Sequence, residues 1–196
     1  MIKRLFDFFA TSIALIILCP LFLVVALLIV LDSKGGVFYR QERIGKNKKP
    51  FMLFKFRSMK PGADKEGLIT VGGRDVRTTA VGYFIRKYKL DELPQLFNIL
   101  KNDMSIVGPR PEVDKYVKLY SVEQQNVLKV KPGLTDLASI AFINENVILA
   151  QAENPEEIYV SKIMPEKLAL NLNYIQQQSF WFDLKIIFKT IGKIIR

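Results

Sequence analysis

Two adjacent carboxylates follow a run of cations in Arg86-Lys87-Tyr88-Lys89-Leu90-Asp91-Glu92-Leu93-Pro94. A carboxylate can be the nucleophile in covalent phosphoryl transfer, and nearby Arg and Lys neutralise phosphate charge. On this pattern Asp91 is a candidate to attack phosphorus and Glu92 a candidate to help bind a divalent cation. A plainer reading stays open: Asp91 as a helix N-cap and Glu92 in the first turn would both complement the helix dipole. The sequence has no histidine, which removes the usual general base, the commonest metal ligand and every imidazole-based triad. Its one cysteine, Cys19, lies inside an apolar run, which argues against disulfides, zinc sites and a solvated thiolate nucleophile. Chemistry is left to carboxylates, Lys, Arg and Tyr.

Two other segments carry anion-binding potential. In Gly108-Pro109-Arg110-Pro111 the flanking prolines stiffen the backbone and present Arg110 rigidly, which suits bidentate phosphate contact. In Lys55-Phe56-Arg57 strand alternation puts both cations on one face. A stiff surface loop and a solvated basic face are the respective bland readings.

The elements that must position these groups follow from pattern. Val37 to Gln41 and Phe51 to Arg57 are short β-prone runs around a polar connector, Ile44-Gly45-Lys46-Asn47-Lys48-Lys49, and predict a basic hairpin. Helical periodicity predicts helices over Val81 to Lys89, Leu93 to Leu100, Pro111 to Val130 and Pro155 to Gln177, the last capped by Asn154 with Pro155 in its first turn. Ser105-Ile106-Val107-Gly108-Pro109-Arg110-Pro111 and Lys131-Pro132-Gly133 read as loops between them. Ser179 to Arg196 places Lys185, Lys189, Lys193 and Arg196 on one helical stripe, with Trp181 and many apolar residues around the rest. That pattern favours a helix lying in the headgroup layer over one packed on the core.

The chain has 196 residues, a net charge of +10 and 49% hydrophobic residues. Strong basicity combined with long apolar stretches points to an anionic membrane surface or an anionic substrate. From Phe8 to Leu31 no residue is charged, and a straight helix of that length measures roughly 36 Å, enough to cross a bilayer core. Pro20 divides it into arms of roughly 18 Å, each too short to cross. Cations flank both ends, Lys3 and Arg4 before and Lys34, Arg40 and Arg43 after, so both flanks are assigned to the cytoplasm. A helix that enters one leaflet, kinks at Cys19-Pro20 and returns satisfies both constraints; a kinked full span is the other possibility. Asp7 is expected to pair with Lys3 or Arg4 one turn earlier.

At these residues the chain resembles the bacterial sugar transferases, the monotopic phosphoglycosyl transferases that initiate glycan assembly on polyprenol phosphate. The likeness covers nearly the whole chain. It runs from Lys3-Arg4-Leu5-Phe6-Asp7 through Phe54-Lys55-Phe56-Arg57-Ser58-Met59 and is densest from Gly82 to Pro111. There Phe84-Ile85-Arg86, Leu90-Asp91-Glu92-Leu93-Pro94-Gln95-Leu96 and Asn102-Asp103-Met104-Ser105-Ile106-Val107-Gly108-Pro109-Arg110-Pro111 match its signature. The resemblance implies a ping-pong reaction in which Asp91 attacks the β-phosphate of a UDP-sugar, expels UMP and holds a phosphosugar that polyprenol phosphate takes up. Glu92 would serve Mg2+, and Arg86, Arg110 and Lys55 or Arg57 would contact phosphates. It also implies the re-entrant topology, a place on the cytoplasmic face of the bacterial inner membrane, and an N-acetylated donor.

Two positions depart from the pattern. Cys19 stands where such proteins often have Ser before the kink proline. Gly133 leads into Leu134-Thr135-Asp136-Leu137-Ala138-Ser139 rather than a Gly-Trp-Ala-Gln type sequence, which resembles a second branch.

The expected fold class is α+β, mainly helical. It comprises a re-entrant helix over residues 1–33, a compact catalytic domain with a small hairpin over 34–178, and an interfacial helix over 179–196, integrated as one unit. The competing class is a non-enzymatic membrane-surface protein that binds anionic lipid; it leaves Asp91-Glu92 and Asp103 within the basic region unexplained. Nucleic acid is not an expected partner, because the basic residues adjoin the membrane segment and no base-reading motif is present.

Overall fold

The computed structural model describes residues 2–67, 69–72 and 75–194. The apolar N-terminal run forms one helix, α1 (Ile2–Asp32), which continues on both sides of Pro20 and is long and apolar enough to cross a membrane. Asp7, Thr11, Val25 and Ile29 are buried on it, and Ala14, Leu15, Leu18, Leu21 and Phe22 pack between them. These positions recur every three or four residues, so they make one stripe along the helix. The remaining circumference is bare, with Ile16 and Leu31 each 75% exposed.

Gly35 and Gly36, both at positive φ, turn the chain into a hairpin of β1 (Phe38–Ile44) and β2 (Pro50–Phe56). The pairing is antiparallel, with Tyr39 opposite Lys55 and Arg43 opposite Phe51. The first strand runs to Ile44, past the Gln41 end expected from sequence, because Gly45 N bonds Lys49 O and closes the connector at 2.9 Å. Period-two alternation then puts Tyr39, Gln41, Arg43 and Lys55 on one face.

The helices α2 (Ala80–Lys87) and α3 (Gln95–Leu100) are joined by a single 3-10 turn at Leu90–Glu92. They bury Ile85, Leu96 and Ile99 against the α1 stripe and the hairpin residues Leu53 and Phe56. A short strand, β3 (Ser105–Val107), follows. Pro111 to Val130 does not form the helix that periodicity predicts. It contains only α4 (Asp114–Val117) and a 3-10 turn at Gln124–Lys129. The break has a local cause: Ser121 and Gln124 bond each other's backbone N–H groups, at 2.9 and 3.2 Å, and so start a new turn.

The segments read as loops around Ser105 and Gly133 are instead partners. Strand β4 (Gly133–Thr135) lies parallel to β3 in the register Ser105 to Gly133 and Val107 to Thr135. Three-residue strands from distant segments leave little periodic signal. The chain then forms α5 (Leu137–Ala141), α6 (Glu145–Ala150) and α7 (Pro155–Ile158), a π turn, and α8 (Met164–Gln177). Asn154 caps Glu157 N at 3.3 Å with Pro155 in the first turn, as expected.

The last helix, α9 (Phe180–Ile194), divides its faces. Ile186 and Asp183 are buried near Tyr174 and Val107, whereas Trp181 and Phe188 are 79% and 71% exposed. Lys185, Lys189 and Lys193 are exposed, and Arg196 of the expected basic stripe lies outside the described residues. The pairing expected for Asp7 does not form. Lys3 ion-pairs with Asp183 and donates to Val107 O at 3.0 Å, and Arg4 reaches the carbonyls of Ile99 and Leu100 at 2.6 and 3.0 Å. Asp7 accepts from Ser105 Oγ at 2.7 Å and Ile106 N at 3.3 Å. Arg4 thereby satisfies carbonyls at the end of α3, and a buried carboxylate finds donors inside the domain instead of exposed partners on its own helix.

Candidate active site

Lys89 adopts a left-handed conformation, φ 57°, immediately before the Leu90–Glu92 turn. A non-glycine residue pays about 1 kcal/mol or more to sit there, and the bend it makes drives Asp91 inward, where it is 5% exposed. Asp91 is not an N-cap: Lys89 stands before the turn and Pro94 before α3, neither with a side-chain cap, while both carboxylates lie in the turn itself.

Asp91 and Glu92 line a cavity of about 920 Å³ together with Lys55, Arg57, Arg86, Lys89 and Arg110. The two acids have opposite environments. Glu92 accepts from Arg110 through both its oxygens, at 3.1 Å on Oε2, and lies 3.5 Å from Lys55 Nζ. Burial pushes its carboxyl upward, but the Arg110 guanidinium and then Lys55 outweigh it and hold Glu92 well below the usual carboxylate range. Asp91 accepts no hydrogen bond from the protein among the described residues. Burial, reinforced by the Glu92 charge, pushes its carboxyl up, against the pull of Lys55, Arg86 and Lys89. Burial likewise lowers the Lys55 ammonium, with Glu92 opposing.

Arg110 is placed by backbone as much as by side chain. Its N–H donates to Asp136 Oδ2 at 2.9 Å, while Asp136 Oδ1 caps α5 at Ser139 N. Behind it Gly108 and Gly133 touch: a Cβ on Gly133 would come within 2.1 Å of Gly108 N, and one on Gly108 within 2.4 Å of Lys131 O. Only glycine allows two backbones to approach so closely. Pro109 accepts from Gly133 N at 3.0 Å, and Pro111 accepts from Arg43 Nη1 at 3.2 Å, so both prolines of the loop are tied to neighbouring segments.

The structure thus gathers Lys55, Arg57, Arg86, Asp91, Glu92 and Arg110 around one cavity. Arg57 stands at its edge, donating to Gly36 O at 2.9 Å, and Arg86 donates to Thr70 Oγ1 at 2.8 Å. Cys19 and Pro20 stand apart on α1, where Cys19 is exposed. Sequence reasoning missed Asp136, although Asp136-Leu137-Ala138-Ser139 is a helix-start pattern, and it missed Arg43, Glu112 and Tyr159, which also line the cavity. Among the described residues no three His, Cys, Asp or Glu side chains converge on one point. One or two carboxylates facing a cavity that can admit phosphates is the donor set that Mg2+ uses when phosphate oxygens and water complete its shell.

Comparison with known proteins finds sugar-phosphate transferases similar to the chain by sequence. The chain is 41% identical over 97% of its length to a UDP-glucose:undecaprenyl-phosphate glucose-1-phosphate transferase of Klebsiella pneumoniae, covering 39% of that protein. It is 37% identical over 99% of its length to a UDP-N-acetylgalactosamine-undecaprenyl-phosphate N-acetylgalactosaminephosphotransferase of Aeromonas hydrophila, covering 44% of it. It is 36% identical over 99% of its length to the exopolysaccharide production protein ExoY of Rhizobium meliloti, covering 85% of it. The chain therefore spans less than half of the first two relatives and most of the third. The family described as bacterial sugar transferase matches residues 1–196, and this chain belongs to it.

Proposed function

We propose that the chain is a phosphoglycosyl transferase that moves a sugar 1-phosphate from a UDP-sugar to polyprenol phosphate. The observation that carries this reading is Asp91, a buried carboxylate without a protein hydrogen bond among the described residues, in a cavity that Lys55, Arg86, Lys89, Glu92 and Arg110 also line. An unpaired buried carboxylate is costly, and such groups concentrate where chemistry needs them. One Asp91 oxygen attacks the β-phosphorus, and the bond from that phosphorus to the bridging oxygen breaks, releasing UMP and leaving an aspartyl phosphosugar. A phosphate oxygen of the polyprenol phosphate then attacks the same phosphorus, forming the diphosphate and returning the Asp91 carboxylate. Arg110, Lys55 and Arg86 bind phosphoryl oxygens, with Arg57 at the rim. Mg2+, when bound by Glu92 and the substrate phosphates, supplies further charge neutralisation. Gly108, Pro109 and Pro111 keep Arg110 in register. Relatives named for UDP-glucose and for UDP-N-acetylgalactosamine both match, so an N-acetylated donor is one of the two classes to test first.

The same reading assigns the chain to the cytoplasmic face of the bacterial inner membrane, with α1 re-entrant and bent at Cys19-Pro20. Both ends of α1 are bonded to one domain, Lys3 and Arg4 at the start and Asp32 at the end through Val81 N at 2.9 Å. A helix crossing the bilayer would carry one end away from that domain, so its bare apolar side is matched instead by acyl chains of one leaflet. Exposed Trp181 and Phe188 beside Lys185 and Lys189 suit the headgroup layer.

The test is UMP release from a panel of UDP-sugars in nanodiscs with polyprenol phosphate and Mg2+, for the wild type and Asp91→Asn. Release by the wild type alone, lost on chelation and restored by added Mg2+, is the expected result. Equal release by both proteins removes Asp91 as nucleophile. Silence across the panel favours the lipid-binding alternative.

A further inference from the structure

The cavity continues past Arg110 into a part that the reaction above does not use, lined by Gln41, Arg43, Glu112, Tyr159, Glu145 and Lys167. Arg43 Nη1 donates to Glu112 Oε1 at 2.7 Å, and its Nη2 and Nε donate to Gln41 Oε1 at 2.7 and 3.1 Å. Tyr159 Oη donates to the other Glu112 oxygen at 2.5 Å, and Lys167 Nζ donates to Glu145 Oε2 at 2.7 Å. Each cation here has its own carboxylate. The two regions meet at Arg110, whose guanidinium is held protonated first by Glu92 and further by Asp136 and Glu145.

A region with balanced charge offers little to a phosphate, and its polar lining offers little to an apolar ring. It suits a neutral ring bearing several hydroxyls. Glu145 uses one acceptor site on Lys167, and Glu112, which accepts from Arg43, Tyr159 and Val113 N, keeps one on Oε2, while Gln41, whose carbonyl oxygen serves Arg43, keeps an NH2 to donate. These groups are braced by one another, with side chains of Arg43, Glu112 and Lys167 only 16%, 17% and 14% exposed. Groups fixed in this way discriminate, because an analogue that lacks or misplaces a hydroxyl leaves a partly buried polar group unpaired.

We infer that the Arg43–Glu112–Tyr159 and Lys167–Glu145 groups form the subsite that reads the hydroxyl pattern of the donor's sugar ring. This rests on the transferase reading, since it takes the sugar to be attached to the phosphate at Asp91.

The experiment measures UMP release from UDP-glucose, UDP-galactose and their 2-acetamido counterparts by the wild-type chain, Tyr159→Phe and Glu145→Gln, with inhibition by UMP measured beside it. The expected result is a change of about tenfold or more in the ratio of kcat/KM between two donors that differ at one ring position, with UMP inhibition changed far less. Rates that fall equally for every donor overturn the inference and leave the transferase reading intact. Weakened UMP inhibition with an unchanged donor ratio also overturns it, since the region would then read the nucleoside. No release from any donor by the wild type overturns both. Gln41→Ala, which removes no charge, repeats the comparison if either of the other variants does not fold.

Discussion

The two parts of the cavity use the same residue types and differ in how charge is matched. Around Asp91 the cations, among them Lys55, Arg57, Arg86, Lys89 and Arg110, outnumber the two carboxylates, Asp91 and Glu92. Around Glu112 every cation has a carboxylate partner at hydrogen-bonding distance. Glu92 and Glu112 occupy comparable positions, each held by an arginine and each with its carboxyl held below the usual range. What sets the parts apart is Asp91 and the cations left over around it. A surplus of positive charge favours phosphate, whereas a balanced set favours neutral polar groups.

The sharpest way to break this contrast is to remove Asp91. Asp91→Asn is expected to lower UMP release by at least about a thousandfold while raising the melting temperature at neutral pH. The sign follows from linkage. Burial, then Glu92, raise the Asp91 carboxyl in the folded state, so its protonation favours folding, the benefit is fully present below the unfolded value and it is lost as pH rises through the folded value. A fall in melting temperature would show that the carboxylate holds the fold together.

Gly133→Ala attacks the frame behind Arg110. The Cβ meets Gly108 N at 2.1 Å, a backbone collision that no rotamer relieves, and the expected cost is about 3 kcal/mol, read from chemical denaturation, with loss of most turnover. Unchanged stability would mean that β3 and β4 can separate without consequence.

Glu92→Gln leaves Arg110 and Lys55 without their carboxylate. It is expected to destabilise by about 1.5–3 kcal/mol, equivalent to about 3–12 °C in melting temperature. The Glu92 carboxyl is depressed in the folded chain, so its contribution is present above the unfolded value and lost as pH falls through the folded one. The difference between wild type and variant should therefore shrink on acidification, and a constant difference would contradict the pairing.

Arg110→Lys keeps the charge but loses the fork that grips both Glu92 oxygens, and about a tenfold fall in kcat/KM is expected. The smallest effect is on the pH profile. Because the Asp91 carboxyl is raised, the acid limb of kcat/KM should lie above the ordinary aspartate range; a limb inside that range would place Asp91 in a solvated environment.

Much of this site could be read from the chain alone, because its signals are local. Asp91 and Glu92 adjoin, Gly108 to Pro111 is one rigid tetrapeptide, and Lys55 and Arg57 alternate on one strand run, so spacing was enough to nominate them. The hairpin, the long apolar helix and the capped start at Asn154 were legible for the same reason. Asp7 shows the limit of local reading. Its expected partners lie one turn away, but the fold brings Ser105 and Ile106 to it, and a buried carboxylate takes the donors that the interior offers. The helix expected from Pro111 to Val130 failed where Ser121 and Gln124 compete for backbone N–H groups, a local signal that periodicity outweighed.

What the sequence by itself determined is the chemistry available: no imidazole, one thiol within an apolar run, two adjacent carboxylates among cations, and an apolar helix flanked by positive charge. Only the tertiary structure decided which carboxylate is free. Glu92 is paired with Arg110 because β4 lies against β3, which brings Asp136 under the Arg110 backbone and sets that guanidinium beside Glu92, whereas Asp91 accepts no protein hydrogen bond among the described residues. Hydrogen bonds and ion pairs fall off within a few ångströms, so identical residue types take opposite roles according to which distant segments the fold sets beside them.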